Sequence, residues 1–425
     1  MSSTTSMPVF ETQLPGGLRL VVEPLDHVRS VGIGVWLTTG SRHEPDHLLG
    51  VSHFLEHLVF KGTPRRSAKA IARAIDALGG QLDAFTGREL GCYYAKVLDE
   101  RLPEALDLLS DILTEPLLAP EDIERERRVI LEEIKLSEDT PTDDLFDLFY
   151  STIFDGHPLG RPVFGTPATV GRLQRDELLD WRASHVFTEN LLIAVSGSCR
   201  PEEVAEYVSG AFSIAGRNHS SATTPPVHSG PRLMVKQKDS EQIHLCLGFP
   251  SVSDTSPRRY VASILNTIVG GGVASRMFQS IREEEGLAYA VYSFIDTYSD
   301  AGAMGIYAGV SPNELTKVLA LIAKELRSIA EDGVEAEELT RTKDQLKSQM
   351  TLALEDSTNR MSRLAKQVIT FGRHWTIEES MGFIDAVSLE EIQALAEEIF
   401  VPSKYCLAAI GPVSQETLES LWPLE

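Results

Sequence analysis

Two histidines and a glutamate stand at i, i+3 and i+4 in the segment Gly50 to Thr63, GVSHFLEHLVFKGT: they are His53, Glu56 and His57. In a helix those offsets put all three side chains on one face with the imidazoles one turn apart, the separation at which a histidine pair grips one zinc ion. Because the histidines would fill ligand positions, Glu56 is left to act on a metal-activated water. The segment supports the helix, since Val51, Leu55, Leu58 and Val59 make an apolar stripe, and Gly62 with Pro64 supplies the stop. Its polar face carries no basic residue until Lys61.

A hydrolytic zinc site takes three protein ligands and keeps a fourth position open, so a third donor must come from elsewhere. The acidic stretch Glu121 to Glu138, EDIERERRVILEEIKLSE, is the best source. Ile123, Ile130 and Ile134 mark its buried side. Glu126 and Glu133, seven residues apart, nearly superimpose on one face, whereas Glu132 is rotated by about 100° from Glu133. Ion pairing with Arg125, Arg127 and Arg128 is the ordinary use of so acidic a helix. Spacing alone does not choose between Glu132 and Glu133.

The elements that must hold these residues fall into two halves. Gly216 to Pro231, GRNHSSATTPPVHSGP, breaks the apolar periodicity near the midpoint of the 425 residues and reads as a linker. A shift of about 210 residues lays Val51 to Leu58 on Val261 to Ile268. In each half a strand (Ser30 to Leu37; Gln242 to Gly248) runs into a turn (Thr38 to Ser41; Phe249 to Ser251). A later strand and helix follow in both, Tyr93 to Leu98 with Pro103 to Leu113, and Met304 to Val310 with Pro312 to Ile322. Glu121 to Glu133 answers Glu337 to Gln349. The expectation is an α+β protein of two related domains, 1–215 carrying the metal motif and 232–425, joined by 216–231.

Composition narrows the function further. A formal net charge of −23 gives none of the basic footprint that nucleic acid or an anionic membrane would require, and favours basic or neutral substrates. Cys92, Cys199, Cys246 and Cys406 are scattered without paired ligand spacing, as suits buried thiols in a reducing compartment. With no basic-then-apolar leader and no long apolar run, the expected location is the cytoplasm.

HFLEHLVFKGT followed by Glu133 within ERRVILEE resembles the inverted-motif zinc peptidases of the pitrilysin and insulysin family, M16. It is most similar to the bacterial members of about this length and to the β subunit of the mitochondrial processing peptidase. Gly40 to Glu44 (GSRHE), Gly79 to Thr86 (GGQLDAFT), Gly270 to Gln279 (GGGVASRMFQ) and Arg282 to Ser293 (REEEGLAYAVYS) resemble further segments of that family. The resemblance implies two mixed or antiparallel sheets packed with helices, the LuxS/metallopeptidase-like fold. It implies Zn2+ as cofactor, His53, His57 and Glu133 as its ligands, Glu56 as general base, and Glu126 as the supporting acid. It also implies that Ser263, Asn266, Thr267 and Gln349 replace the four metal-site residues in the second half, leaving it metal-free. There Arg282 and Tyr289 would hold substrate backbone. Asp83, Ala84 and Phe85 lie on the implied edge strand to which an extended peptide adds, with Asp83 where relatives often carry Asn. The expected activity is endopeptidase cleavage of extended, unstructured peptides, by a homodimer whose two halves per chain restore the four-domain chamber of larger members. The alternative is a non-catalytic peptide-binding or structural partner subunit, although such relatives usually lose the zinc motif; a paralogous partner is a third arrangement.

Overall fold

Strand-forming runs rich in Val, Ile and Leu build two mixed sheets, one in each of two compact units. The computed structural model describes residues 9–212, 214, 216, 223–228 and 230–422; of the expected linker, residues 217–222 and 229 lie outside the described residues. The first unit takes the chain to Ile134, Pro162–Thr223 and Leu352–His374, and the second takes Lys135–Arg161, Thr224–Thr351 and the chain from Trp375 onward.

The first sheet holds β1 (Phe10–Gln13), β2 (Arg19–Pro24), β3 (Ser30–Leu37), β4 (Gln81–Thr86), β5 (Gly91–Leu98) and β6 (Leu191–Gly197) in the order β1-β2-β6-β3-β5-β4. The second holds β7 (Arg232–Gln237), β8 (Ile243–Ser251), β9 (Ala288–Thr297), β10 (Gly302–Val310) and β11 (Cys406–Gly411) in the order β7-β11-β8-β10-β9. Setting β1 aside, the two orders coincide. Both begin with a parallel pair, β2 with β6 and β7 with β11, and continue antiparallel. The expected α+β class, with two related domains each built on a mixed sheet, is what the molecule has.

Of the helices, two carry the site, α1 (Val51–Leu58) and α2 (Pro120–Asp139), and two others, α3 (Pro141–Ile153) and α4 (Ser357–Phe371), are among those that cover the sheets. The compact units depart from the linear halves because α3 and α4 each cover the sheet built mainly by the other half. Leu145, Phe149 and Ile153 of α3 are buried with Cys246, Ala408 and Ile410 of the second sheet. Met361, Leu364, Ala365 and Val368 of α4 are buried with Val21, Trp36 and Ala194 of the first. Glycines make room for both. A Cβ on Gly32 would lie 2.7 Å from the Ser357 carbonyl oxygen, and one on Gly248 would lie 2.2 Å from the Phe149 ring.

One expected turn is corrected. Phe249 to Ser251 continues β8, whose pairing with β10 runs to Ser251 opposite Gly302. The partner on the other side, β11, stops at Gly248. Pro250 therefore sits where the strand is paired on one side only, a position that tolerates its missing N–H. Among the described residues no helix is long and apolar enough to cross a membrane.

Candidate functional site

The apolar stripe of α1, with Val51, Phe54, Leu55 and Leu58, packs on Ile123, Ile130 and Ile134 of α2, so the polar edges of the two helices meet. The start of α1 is fixed by Glu44. This buried carboxylate accepts from the backbone N–H groups of Gly50 at 2.7 Å and Ser52 at 2.8 Å, satisfying donors that the first helical turn leaves open. Gly50 takes φ +89°, and a Cβ there would lie 2.6 Å from the Phe164 carbonyl oxygen, so glycine is required on both counts. The loop that delivers Glu44 is tied to the β4–β5 hairpin, because Ser41 N donates to Gly87 O and Arg42 N to Arg88 O.

On this frame three side chains converge. His53 Nε2 and His57 Nε2 lie 3.8 and 3.5 Å from the same oxygen of Glu133, and donor atoms of the three all fall within 4.8 Å of one another. Two imidazoles and a carboxylate are the donor set of a hydrolytic zinc site, and their mutual approach fits one ion held between them. Burial, with His57 adding to it, pushes the His53 imidazole down to about 3, so its ring is neutral and its lone pair available near pH 7. Its ring packs against Phe164 and His57 at centroid distances of 4.6 and 4.7 Å. The other nitrogen of His57, Nδ1, is 3.3 Å from Glu126 Oε2, and Glu126 Oε1 is 2.9 Å from Lys61 Nζ. Glu132 is exposed.

Glu56 is half-buried beside these ligands, and its carboxylate accepts a hydrogen bond from the Thr86 hydroxyl at the end of β4. Burial raises its pKa, against the lowering pull of the Thr86 bond and of His57. Strand β4 is the sheet's edge. Asp83 and Phe85 are exposed on it while Ala84 is half-buried, and the Asp83 carboxylate accepts the N–H of Ala84 at 2.8 Å. A cavity of about 40 Å³ is lined by Leu55, Val59, Phe85, Thr86, Tyr93 and Trp181, among others.

Arg282 and Tyr289 belong to the second unit, where they are brought to each other. The Arg282 guanidinium lies 4.9 Å from the centre of the Tyr289 ring and 4.6 Å from that of Phe278, on a π-helical segment, Phe278–Glu284. Tyr289 is 81% exposed. At the places answering His53 and His57, the hydroxyls of Ser263 and Thr267 bond back to carbonyls of their own helix, Arg259–Gly270.

Family models match both parts of the chain: "Insulinase (Peptidase family M16)" over residues 19–167 and "Peptidase M16 inactive domain" over 172–346. An uncharacterized zinc protease of Mycobacterium leprae is 41% identical over 419 residues, covering 97% of this chain and 94% of its own. The chain belongs to the insulinase family, M16. Another relative in that family, the uncharacterized zinc protease YmxG of Bacillus subtilis, is 38% identical over 396 residues, covering 93% of this chain and 96% of its own. The fold is likewise that of a Helicobacter pylori protease, with TM-score 0.88 at 21% identity over 95% of this chain and 99% of the other. A chain of complex III2 from Candida albicans shares it too, with TM-score 0.83 at 19% identity over 96% of this chain and 97% of the other.

Three residues of this M16 site escape a reading by spacing. Thr86 ends the GGQLDAFT segment, but its bond to Glu56 joins residues 30 apart. Lys61 and Glu44 flank the histidine motif in plain sight, yet only the fold names their partners.

Proposed function

We propose that this insulinase-family chain is a zinc-dependent endopeptidase acting on extended peptides. The observation that carries the reading is the convergence of His53, His57 and Glu133 beside a half-buried Glu56. Zinc held by those three residues would polarise a peptide carbonyl and lower the pKa of water toward neutrality. Glu56 then accepts the proton of the attacking water at its carboxylate and returns it to the leaving amine. Thr86 holds that carboxylate in place, and Glu126 orients His57 through Nδ1. An extended substrate adds to the free edge of β4 at Asp83, Ala84 and Phe85 through main-chain hydrogen bonds. An apolar side chain next to the scissile bond enters the cavity lined by Leu55, Phe85 and Tyr93. The net charge of −23 favours basic peptides.

The test is a pair of variants of the purified protein. Glu56→Gln should keep zinc and lose hydrolysis of an unstructured basic peptide, whereas His57→Ala should lose both. Full turnover by Glu56→Gln, or turnover in the wild type that a chelator leaves intact, would sink the reading.

The chain carries both a metal motif and, in its second M16 domain, the Arg282/Tyr289 pair, so we further propose a homodimer in which that pair of one subunit serves the zinc site of its partner. Inactive His57→Ala and Arg282→Ala proteins should then recover activity when mixed and allowed to exchange subunits. No recovery in verified mixed dimers would refute completion in trans.

A further inference from the structure

We propose that Lys61 is a positioning residue for the metal site: acting through Glu126, it fixes the ring of His57 in the orientation and tautomer that ligation requires. The inference rests on the zinc-peptidase reading of the site and concerns a side chain that neither touches substrate nor ligates.

The geometry is a relay across two helices. Glu126 and Glu133 lie two turns apart on α2 and reach opposite nitrogens of one ring, Glu126 at Nδ1 and Glu133 at Nε2. His57 is thus clamped between two carboxylates of a single helix. A glutamate carboxylate can turn about its side-chain torsions unless its second oxygen is anchored, and that oxygen is held by Lys61 Nζ at 2.9 Å. Glu126 is 3% exposed, so its charge has little water to compensate it, and the lysine supplies the compensation.

His53 lacks such support. Its Nδ1 is buried and has no hydrogen-bond partner among the described residues. Of the two imidazoles, His57 is therefore the one whose second nitrogen meets a carboxylate, the arrangement that fixes tautomer and ring orientation in histidine–metal sites.

Lys61 is also delivered from a fixed place. It closes the 3-10 turn Val59–Lys61 that extends α1, and stands four residues after His57. The next residue, Gly62, has φ +144° and accepts from Leu117 N at 2.9 Å. Thr63 beyond it donates to the buried Asp111 at 3.0 Å, which also pairs with Arg66. The turn is locked on its far side by a separate ion network, leaving the lysine amine to serve Glu126.

The sign of the effect separates this role from bulk electrostatics. A cation near a dication site repels the ion, so a purely Coulombic Lys61 would weaken zinc binding and its removal would tighten it. Positioning through Glu126 predicts the opposite. Loss of an outer-shell partner of a ligating histidine typically costs roughly 10–100-fold in metal affinity, and Lys61 acts one contact further out, so about tenfold is expected.

The experiment is zinc affinity, measured by chelator competition on wild type, Lys61→Met, Lys61→Arg, Glu126→Gln and the Lys61→Met/Glu126→Gln double variant, with no activity assay involved. Lys61→Met should bind about tenfold more weakly, and Lys61→Arg should keep most of the affinity. The double variant should bind no more weakly than Glu126→Gln alone, because both changes break one relay. Lys61→Gln replaces Lys61→Met if the latter does not fold. Unchanged or tighter binding by the neutral Lys61 variant, or full additivity in the double variant, overturns the proposal. Failure of the wild type to bind zinc would instead overturn the zinc reading on which it rests.

Discussion

Thr86→Val isolates one hydrogen bond at the carboxylate of the proposed general base, Glu56. Valine keeps the β-branched shape that suits the end of β4 and removes only the hydroxyl that Glu56 accepts from. A hydrogen bond to an ionised group contributes about 1.5–3 kcal/mol, and each 1.4 kcal/mol is about a factor of ten. Glu56 and Thr86 are both half-buried, so water takes over part of the lost bond and the lower end of that range applies. The expected loss is therefore roughly tenfold in kcat, since a freed carboxylate no longer points at the attacking water. The Thr86 hydroxyl bonds the proposed base and not one of the three proposed ligands, so zinc affinity should stay within about twofold, while the lost bond should lower unfolding stability by about 1.5 kcal/mol.

The assay is steady-state cleavage of a quenched basic peptide, paired with zinc competition on the same preparation. An unchanged kcat would mean that the Thr86 bond has no part in holding the base. A parallel loss of zinc affinity would mean that β4 acts on the metal site as a whole, and that base and ligands are not held separately.

Two further substitutions address the frame beneath the site. Glu44→Gln leaves a side chain that can offer only one oxygen to the N–H groups of Gly50 and Ser52, so denaturant unfolding should show a loss of about 1–3 kcal/mol; a loss under about 0.5 kcal/mol would refute the capping role. Gly32→Ala puts a Cβ 2.7 Å from a backbone oxygen of α4, which no side-chain rotation relieves, and should destabilise by about 1–3 kcal/mol. An unaltered unfolding midpoint for Gly32→Ala would mean that α4 shifts on the sheet without penalty.

Local periodicity carries α1 and α2, because each buries a stripe whose spacing is written in consecutive residues: Val51, Leu55 and Leu58 on one, Ile123, Ile130 and Ile134 on the other. The same spacing puts His53 and His57 one turn apart. It also puts Glu126 and Glu133 on a common face, the face that the structure turns toward those histidines. What periodicity cannot carry is the partner of an isolated residue. Lys61 meets Glu126 across 65 positions and Gly32 meets Ser357 across 325, and nothing near either residue names the other. The glycine pair in SVGIGVWL is a legible sign that something approaches that face of β3 closely. That the visitor is a helix from far along the chain is decided only by packing. Pro250 misleads for a related reason, since whether a proline ends a strand depends on how many neighbours the strand has at that point.

The two sheets also separate what the fold supplies from what the side chains supply. Strand order and the parallel first pair are common to both units, and the helix answering α1 is present in each, so backbone architecture alone does not make a metal site. In the second half the positions answering His53, His57 and Glu133 carry Ser263, Thr267 and Gln349, and Asn266 answers Glu56. The offsets that match the halves also put Gly271 in the place of Lys61 and Thr342 in the place of Glu126. The Thr342 hydroxyl bonds the Glu338 carbonyl of its own helix, as Ser263 and Thr267 bond theirs. Ligands and supporting residues are thus replaced together. This is the pattern expected if the lysine–glutamate relay has value only where there is a ligating imidazole to orient: a buried carboxylate and the cation that compensates it are costly to keep in a helix pair without such an imidazole.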